Sequence, residues 1–216
     1  MHQEELLNLF QFMCKASIES GKIFILTLLF GLPLGLLVSF GRMSKLIFIN
    51  WPIRFYLLIM RGTPLILQLF FFFYFPYFIF HSTLPRFWAA ILAMSINYAA
   101  YFAEIYRSGI ESMPRGQYEA ATVLGFSKGQ TFFKIILPQV IKRILPPMGN
   151  EFMTLVKDTA LVSVIGVSEI YELATDTMSQ ASSILPLLMA GMFYLVMNGV
   201  VSKGISLTEK RMNYYH

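Results

Sequence analysis

Apolar residues are gathered into long runs along the chain, and the polar residues lie between these runs. Four stretches, 23–41, 62–85, 87–103 and 177–202, contain no formally charged residue. A membrane-spanning helix needs about 20 mostly apolar residues to cross roughly 30 Å of hydrocarbon. The pattern therefore predicts four membrane-spanning helices at these positions.

A fifth apolar stretch, 145–167, contains the charged residues Glu151, Lys157 and Asp158. Charged side chains are costly near the centre of a span, so they must be accommodated in one of two ways. They can reach the interface or pair with one another, or the helix that carries them can face a polar cavity. The sequence leaves both open, and the second suits a transport pathway better.

The composition changes this picture little. The 216 residues are 56% hydrophobic and 13% charged, whereas soluble domains carry about 25% charged residues. The formal net charge is +5, but Lys and Arg form no block of the kind that binds nucleic acid. We therefore expect an all-α integral membrane protein, a single transmembrane domain over 1–216 in contact with lipid, without a nucleic-acid partner.

The basic residues between the apolar runs predict the orientation. Lys and Arg are frequent after the first and third runs and in the C-terminal tail, whereas 168–181 contains only acidic charges, at Glu169, Glu172 and Asp176. Basic connections stay on the cytoplasmic side. We expect five transmembrane helices with the N-terminus outside and the C-terminus cytoplasmic, at about 20–41, 58–80, 86–107, 145–167 and 182–204.

The long connection at about 113–138 is too polar to span a membrane, and its pattern is helical. Glu119, Ala120 and Ala121 favour a short surface helix, and Gly125 favours its end. We expect a second helix after the turn, broken at Pro138. The small alanines would allow another protein to approach one face of the first helix closely.

This connection resembles the EAA loop of the membrane subunits of bacterial ABC importers. The resemblance lies in the triplet at 119–121, Gly125, Ile135 and the Leu-Pro pair at 137–138, which have the spacing of that loop. Five further stretches are similar to the polar amino acid branch of the family, the permeases for histidine, glutamine, arginine and cystine; they are 61–65 with Gln68, 100–107, 116–117, 149–152 and 155–159.

The resemblance implies a type I ABC importer permease fold in a bacterial inner or plasma membrane, crossed several times by the chain. It also implies the partners: a cytoplasmic ATPase dimer, an extracytoplasmic solute-binding protein and a second permease subunit. A homodimer is favoured, and a heterodimer stays open. The contact with the ATPase is expected at Gly116, Glu119, Ala120, Ala121 and Gly125.

We expect no enzymatic activity in this chain. It lacks the G-x-x-x-x-G-K-[ST] pattern that cradles nucleotide phosphates, and no catalytic or metal-ligand spacing stands out, so ATP and Mg²⁺ would be held by the partner ATPase and no cofactor by this chain. The expected function is import of a polar amino acid by alternating access. The alternative is a permease for another small polar nutrient, such as a metal chelate, an opine or a short peptide.

A zwitterion needs an acidic and a basic group close together, with hydroxyl or backbone donors beside them. We predict Asp158 for the ammonium group, Lys157 or Arg61 with Thr63 for the carboxylate, and Glu151 for the substrate side chain. The resemblance adds Gly62 and Gln68 to this set. The alternative is that Lys157 and Asp158 form a structural ion pair, across the dimer or near the cytoplasmic end.

One further ion pair is predicted from spacing. Glu104 and Arg107 are three residues apart near the cytoplasmic end of the third predicted span, so their side chains share one helix face. We expect them to stabilise that helix end and to have no part in substrate binding.

Overall fold

The computed structural model describes residues 3–212, and all its regular elements in this range are helical. They are α1 (Gln3–Arg42), α2 (Ile47–Gly62), α3 (Leu65–Phe80), α4 (Arg86–Glu111), α5 (Arg115–Val123), α6 (Lys128–Gln130), a π-helical segment (Thr131–Ile136), α7 (Leu137–Asp158), a 3-10 segment (Thr159–Ile165), α8 (Ile170–Ala181) and α9 (Leu185–Arg211). The all-α prediction is confirmed for this part of the chain. The predicted domain over 1–216 also includes 1–2 and 213–216, which lie outside the described residues.

Two helices in the described range are long and apolar enough to cross a membrane by themselves, Leu6–Arg42 and Leu185–Arg211. The pair α2 and α3 meets the same requirement as one broken span, bent by 113° at the break. The predicted span 20–41 lies within α1, which begins much earlier, at Gln3. The predicted spans 86–107 and 182–204 coincide largely with α4 and α9.

The break between α2 and α3 follows from its sequence. Pro64 disfavours helical backbone at the residue before it, and Thr63 is extended, with φ −120° and ψ 149°. The Gln68 side-chain amide donates hydrogen bonds to the carbonyl oxygens of Met60, at 3.1 Å, and Thr63, at 3.2 Å. The predicted second span, 58–80, therefore consists of the end of one helix and the whole of the next.

Helix α4 lies at the centre of the fold, packed closely against α1. Its buried side includes Tyr98 and Phe102 among several small alanines. A Cβ atom added at Gly35 of α1 would lie 2.8 Å from the Cβ of Phe102 and 3.0 Å from the carbonyl oxygen of Ala99. Gly35 therefore allows the two helix backbones to approach each other, as small residues commonly do in membrane helix pairs.

The connection at 113–138 contains the predicted surface helix, α5, and the predicted turn at Gly125, where φ is 79°. Ser127 and Gln130 then cap the next helix reciprocally. The predicted break at Pro138 is wrong, because the chain remains helical from Lys128 to Asp158. The π-helical turn before Pro138 changes the hydrogen-bond pattern where the proline lacks an amide, which is a usual way to accommodate such a disturbance.

The predicted segment 145–167 combines the end of α7 with the 3-10 segment, which ends at Gly166 with φ 70°. Past this turn, buried Glu169 caps α8 by accepting a 2.9 Å hydrogen bond from the amide of Glu172. Its other carboxylate oxygen accepts hydrogen bonds from Ser20 at 3.4 Å and Tyr194 at 2.5 Å. Glu169 therefore ties α8 to α1 and α9.

Candidate functional site

A pocket of about 200 Å³ lies where the break between α2 and α3 meets α4 and α7. Two carboxylates face it, together with an amide and several hydroxyl groups. Its lining residues in the described part of the chain include no Lys or Arg, and they are Thr63, Leu65, Asn97, Tyr98, Tyr101, Glu151, Thr154 and Asp158.

Helical spacing explains why these side chains meet. Glu151, Thr154 and Asp158 are three and four residues apart on α7, so they lie on one face. Asn97 and Tyr101 are four residues apart on α4, and they line the pocket from the side opposite α7. Thr63 reaches the pocket because the helix is interrupted there, and Leu65 begins α3 beside it.

One carboxylate of the pocket is held by a direct hydrogen bond. The Tyr98 hydroxyl donates to an oxygen of Asp158 at 2.7 Å. Tyr98 is almost fully buried, so its ring cannot move without disturbing the core. One oxygen of Asp158 is thereby held in place. The neighbouring Lys157 is exposed and forms no ion pair with Asp158 in the described structure.

A second group of hydrogen bonds lies behind the pocket. Asn97 donates to the side-chain oxygen of Gln68 at 2.8 Å and to the carbonyl of Met60 at 3.0 Å. Gln68, which is buried, donates in turn to the Thr63 hydroxyl at 2.9 Å. This network fixes the broken backbone and the hydroxyl group that it presents.

The structure brings together part of the predicted substrate set. Thr63, Glu151 and Asp158 line the pocket, and Gln68 supports it from behind. Gly62 precedes the break, Lys157 is exposed, and Arg61 stands beside Tyr101 outside the lining. Whether these residues bind substrate stays a prediction.

The lining residues that sequence analysis did not select include the three on α4, Asn97, Tyr98 and Tyr101. The available signal was their hydrogen-bonding side chains at helical spacing inside the uncharged stretch 87–103. That signal is weak because tyrosine is also a common interface and core residue in membrane proteins. Only the packed structure shows which side of α4 faces the pocket, and therefore which of its tyrosines line it.

A cluster of four charged residues lies next to the pocket. The predicted pair of Glu104 and Arg107 is confirmed, with the Arg107 Nη2 atom 2.7 Å from a Glu104 oxygen. Glu104 also lies 3.7 Å from Arg42 of α1 and 3.7 Å from Arg61 of α2. Glu104 thus contacts not only Arg107 on its own helix, α4, but also residues of α1 and α2.

The short helix α5 presents most of its predicted contact residues to the outside. Gly116, Glu119, Ala120 and Gly125 are exposed. Ala121 is buried and packs against the rest of the chain, so the structure gives it an anchoring position. Two apolar side chains that were not selected, Val123 and Leu124, are 87% and 73% exposed at the end of the helix.

The long apolar helices α1 and α9 and the bent pair α2 and α3 define the class as an integral membrane protein. The chain belongs to the family described as binding-protein-dependent transport system inner membrane component, whose model matches residues 31–214. Members of this family are permease subunits of ABC importers, with the type I fold.

Named relatives include amino acid permeases. The chain is 42% identical over 153 residues to the L-cystine transport system permease protein TcyB of Bacillus subtilis (strain 168), a match that covers 70% of this chain and 64% of that relative. It is 37% identical over 177 residues to the arginine transport system permease protein ArtQ of the same organism, covering 82% and 81% of the two chains. A crystal structure of an amino acid ABC transporter with histidines matches with a TM-score of 0.88 and 33% identity, over 98% of this chain and 99% of that one.

Proposed function

We propose that this permease subunit imports a polar amino acid, most favourably a cationic one, and binds it in the pocket between the helix break, α4 and α7. The observation that carries this proposal is the presence of Glu151 and Asp158 in one small pocket without a lining Lys or Arg. One carboxylate receives the ammonium group of the substrate. The other then meets a positive or hydrogen-bond-donating group on its side chain.

The carboxylate of the substrate needs donors, and the helix break supplies them. The Thr63 hydroxyl faces the pocket, and α3 begins there with Leu65. The first amides of a helix have no intrahelical acceptor, and they favour anions at that end. Broken helices present such ends to substrates in other transporters.

The size and charge of the pocket bear on the substrate. Its volume in one subunit, about 200 Å³, accommodates a single amino acid. Two partly buried carboxylates also disfavour a substrate with an acidic side chain, because like charges repel each other.

Transport requires the pocket to open to each side of the membrane in turn. In our proposal the chain crosses the membrane five times, through α1, the pair α2 and α3, α4, α7 with its 3-10 extension, and α9, and its N-terminus lies outside. This arrangement places α5, the start of α2 and the basic ends of α1 and α9 on the cytoplasmic side, as the positive-inside rule requires.

The energy for this cycle comes, in our proposal, from a separate ATPase dimer that docks on α5. Support comes from the exposed apolar pair Val123 and Leu124 beside Glu119 and Ala120. Large apolar side chains exposed outside the membrane are typical of a surface that a partner covers. An extracytoplasmic binding protein would deliver the amino acid at the opposite face, near α8.

A second permease subunit completes the proposed pathway. Thr154 and Lys157 are exposed on α7 beside the pocket, and a charged side chain at membrane depth needs a polar neighbour. A second copy of this chain, related by a twofold axis, would bring the same face of α7 against it. Lys157 would then meet polar groups rather than lipid.

The proposal is tested by uptake of radiolabelled amino acids into proteoliposomes that contain this subunit, its ATPase and its binding protein. The panel should include cationic, neutral polar, apolar and acidic amino acids and cystine. Glu151→Gln should reduce uptake of the preferred amino acid at least tenfold, whereas Glu19→Gln, the same change in an exposed ion pair on α1, should leave it unchanged. Preference for an apolar or acidic amino acid would contradict the proposal.

A further inference from the structure

The charged cluster and the substrate pocket share one helix face. Asn97, Tyr101 and Glu104 are spaced by four and three residues on α4, so their side chains follow one another along the same side. Asn97 and Tyr101 line the pocket. Glu104 is the next side chain on this face, immediately beyond the pocket.

Arg61 is the member of the charged cluster that contacts a lining residue of the pocket. Its guanidinium carbon is 5.6 Å from the centre of the Tyr101 ring, a cation–π arrangement. Its Nη1 atom is 3.7 Å from a Glu104 oxygen. Helix α2 ends at Gly62, one residue after Arg61, and the break that follows forms part of the pocket wall. Arg61 is therefore the cation at the mouth of a pocket whose own lining is acidic.

Glu104 is itself held firmly. The Arg107 guanidinium donates three hydrogen bonds to its carboxylate, at 2.7 Å, 3.2 Å and 3.2 Å. Arg42 approaches it from α1 at 3.7 Å. The Glu104 side chain is 17% exposed and that of Arg61 is 44% exposed. Glu104 is thus the more buried anion, held by three hydrogen bonds, and Arg61 is its more exposed partner.

We propose that Glu104 is a positioning residue, which holds Arg61 at the mouth of the pocket so that Arg61 can receive the carboxylate of the substrate. This inference rests on the proposed amino acid site. A guanidinium group has five N–H donors in a planar fork, so it can bind a carboxylate bidentately while Glu104 and Tyr101 limit its movement. Restricting a long side chain before binding lowers the entropy that binding costs.

The arrangement also explains why a partly exposed ion pair is useful here. An exposed pair at 3.7 Å contributes little stability, so Arg61 can turn toward the substrate with little loss. Glu104 keeps its strong bonds to Arg107 during that movement. The cluster would therefore stay intact when its outermost arginine, still next to Glu104, binds the substrate.

The test compares an amino acid with its amide, which has the same ammonium group and side chain but no carboxylate. Dissociation constants for L-arginine and L-argininamide are measured on the permease and ATPase complex in lipid nanodiscs, without the binding protein and at mildly acidic pH. Wild type should bind L-arginine at least about tenfold more tightly, as expected for a charged hydrogen-bonding partner. Arg61→Gln should abolish most of this preference.

Glu104→Gln should weaken L-arginine binding about fivefold, since Arg61 is then poorly placed, and leave L-argininamide binding unchanged. Glu104→Asp keeps the charge, so it should restore part of the preference and also serves if Glu104→Gln does not assemble. Glu111→Gln is the matched control, because Glu111 pairs with Arg107 but does not contact Arg61. It should bind both ligands as wild type does.

Four results decide the matter. Loss of preference for the carboxylate in the Arg61 and Glu104 variants supports the inference. Either of two results overturns the inference and leaves the amino acid site standing. In one, the Glu104 variants bind L-arginine and L-argininamide more weakly by the same factor. In the other, they keep the full preference for L-arginine while Arg61→Gln loses it. Absence of amino acid binding to wild type across the whole uptake panel overturns the proposed function and the inference together.

Discussion

The Tyr98 hydroxyl donates a 2.7 Å hydrogen bond to one carboxylate oxygen of Asp158, which joins the middle of α4 to the end of α7. This bond crosses one side of the pocket and leaves the other oxygen of Asp158 available. A carboxylate fixed in this way pays little entropy when it binds an ammonium group. This hydrogen bond therefore links the packing of α4 against α7 to the geometry of the proposed substrate site.

Replacement of Tyr98 by Phe removes this donor and keeps the ring. We expect the concentration of amino acid for half-maximal uptake to rise about tenfold, because hydrogen bonds to charged groups contribute about 1.5–3 kcal/mol. The measurement is the concentration dependence of uptake in proteoliposomes. Tyr106→Phe, on the same helix outside the pocket lining, is the matched control, and an equal effect in both variants would speak against the role of Tyr98.

Asn97→Leu should destabilise the helix break. The substitution leaves the side-chain oxygen of Gln68 and the carbonyl of Met60 without the Asn97 donor, and an unpaired buried polar group costs about 1–3 kcal/mol. A lower melting temperature of the purified complex and reduced uptake are expected together.

Ser95→Ala is the control for that variant. The Ser95 hydroxyl is buried without a hydrogen-bond partner in the described part of the chain, so its removal should leave the melting temperature unchanged or raise it slightly. If Asn97→Leu melted at the temperature of Ser95→Ala, the network would have no part in fixing the break.

Gly35→Ala should loosen the contact between α1 and α4. The added carbon would lie 2.8 Å from the Cβ of Phe102, a distance at which the backbones must move apart, and overpacking of this kind costs about 1–3 kcal/mol. Gly21→Ala on the same helix meets no atom within 4 Å. We expect a lower melting temperature for the first variant only; similar melting of both would show that α1 tolerates the shift.

Val123→Asp should separate the permease from its ATPase. The side chain is 87% exposed at the end of α5, so a charge there should not affect folding but should weaken a contact that buries it. Co-purification of the ATPase is expected to fall, while binding of the amino acid to the permease is retained. Val123→Ile preserves the apolar surface and should behave as wild type. Full co-purification of the Asp variant would exclude this part of α5 from the interface.

Local chemistry allowed some of these features to be predicted from sequence. The surface helix at 119–121 and the turn at Gly125 are predicted from neighbours along the chain. The pair of Glu104 and Arg107 has the same local origin, and all three features are present in the structure.

The remaining features depend on how the helices pack. Tyr98 finds Asp158 at a distance of 60 residues along the chain, and Arg61 finds Glu104 across two helices. Sequence spacing does not show how each helix is rotated about its axis, and therefore which side chains of different helices meet. The error at Pro138 has a different cause, because the propensity of proline to break a helix was offset by a π-helical turn just before it.

The most direct test of the central claim is ATP hydrolysis by the lipid-reconstituted complex of this subunit, its ATPase and its binding protein, scanned over the twenty amino acids and cystine. Stimulation by one or a few polar amino acids, with cationic ones foremost, and its loss in Asp158→Ala is the predicted result. If the complex is intact and no amino acid stimulates hydrolysis, the proposed substrate is contradicted. If Asp158→Ala responds as wild type does, the proposed site is contradicted.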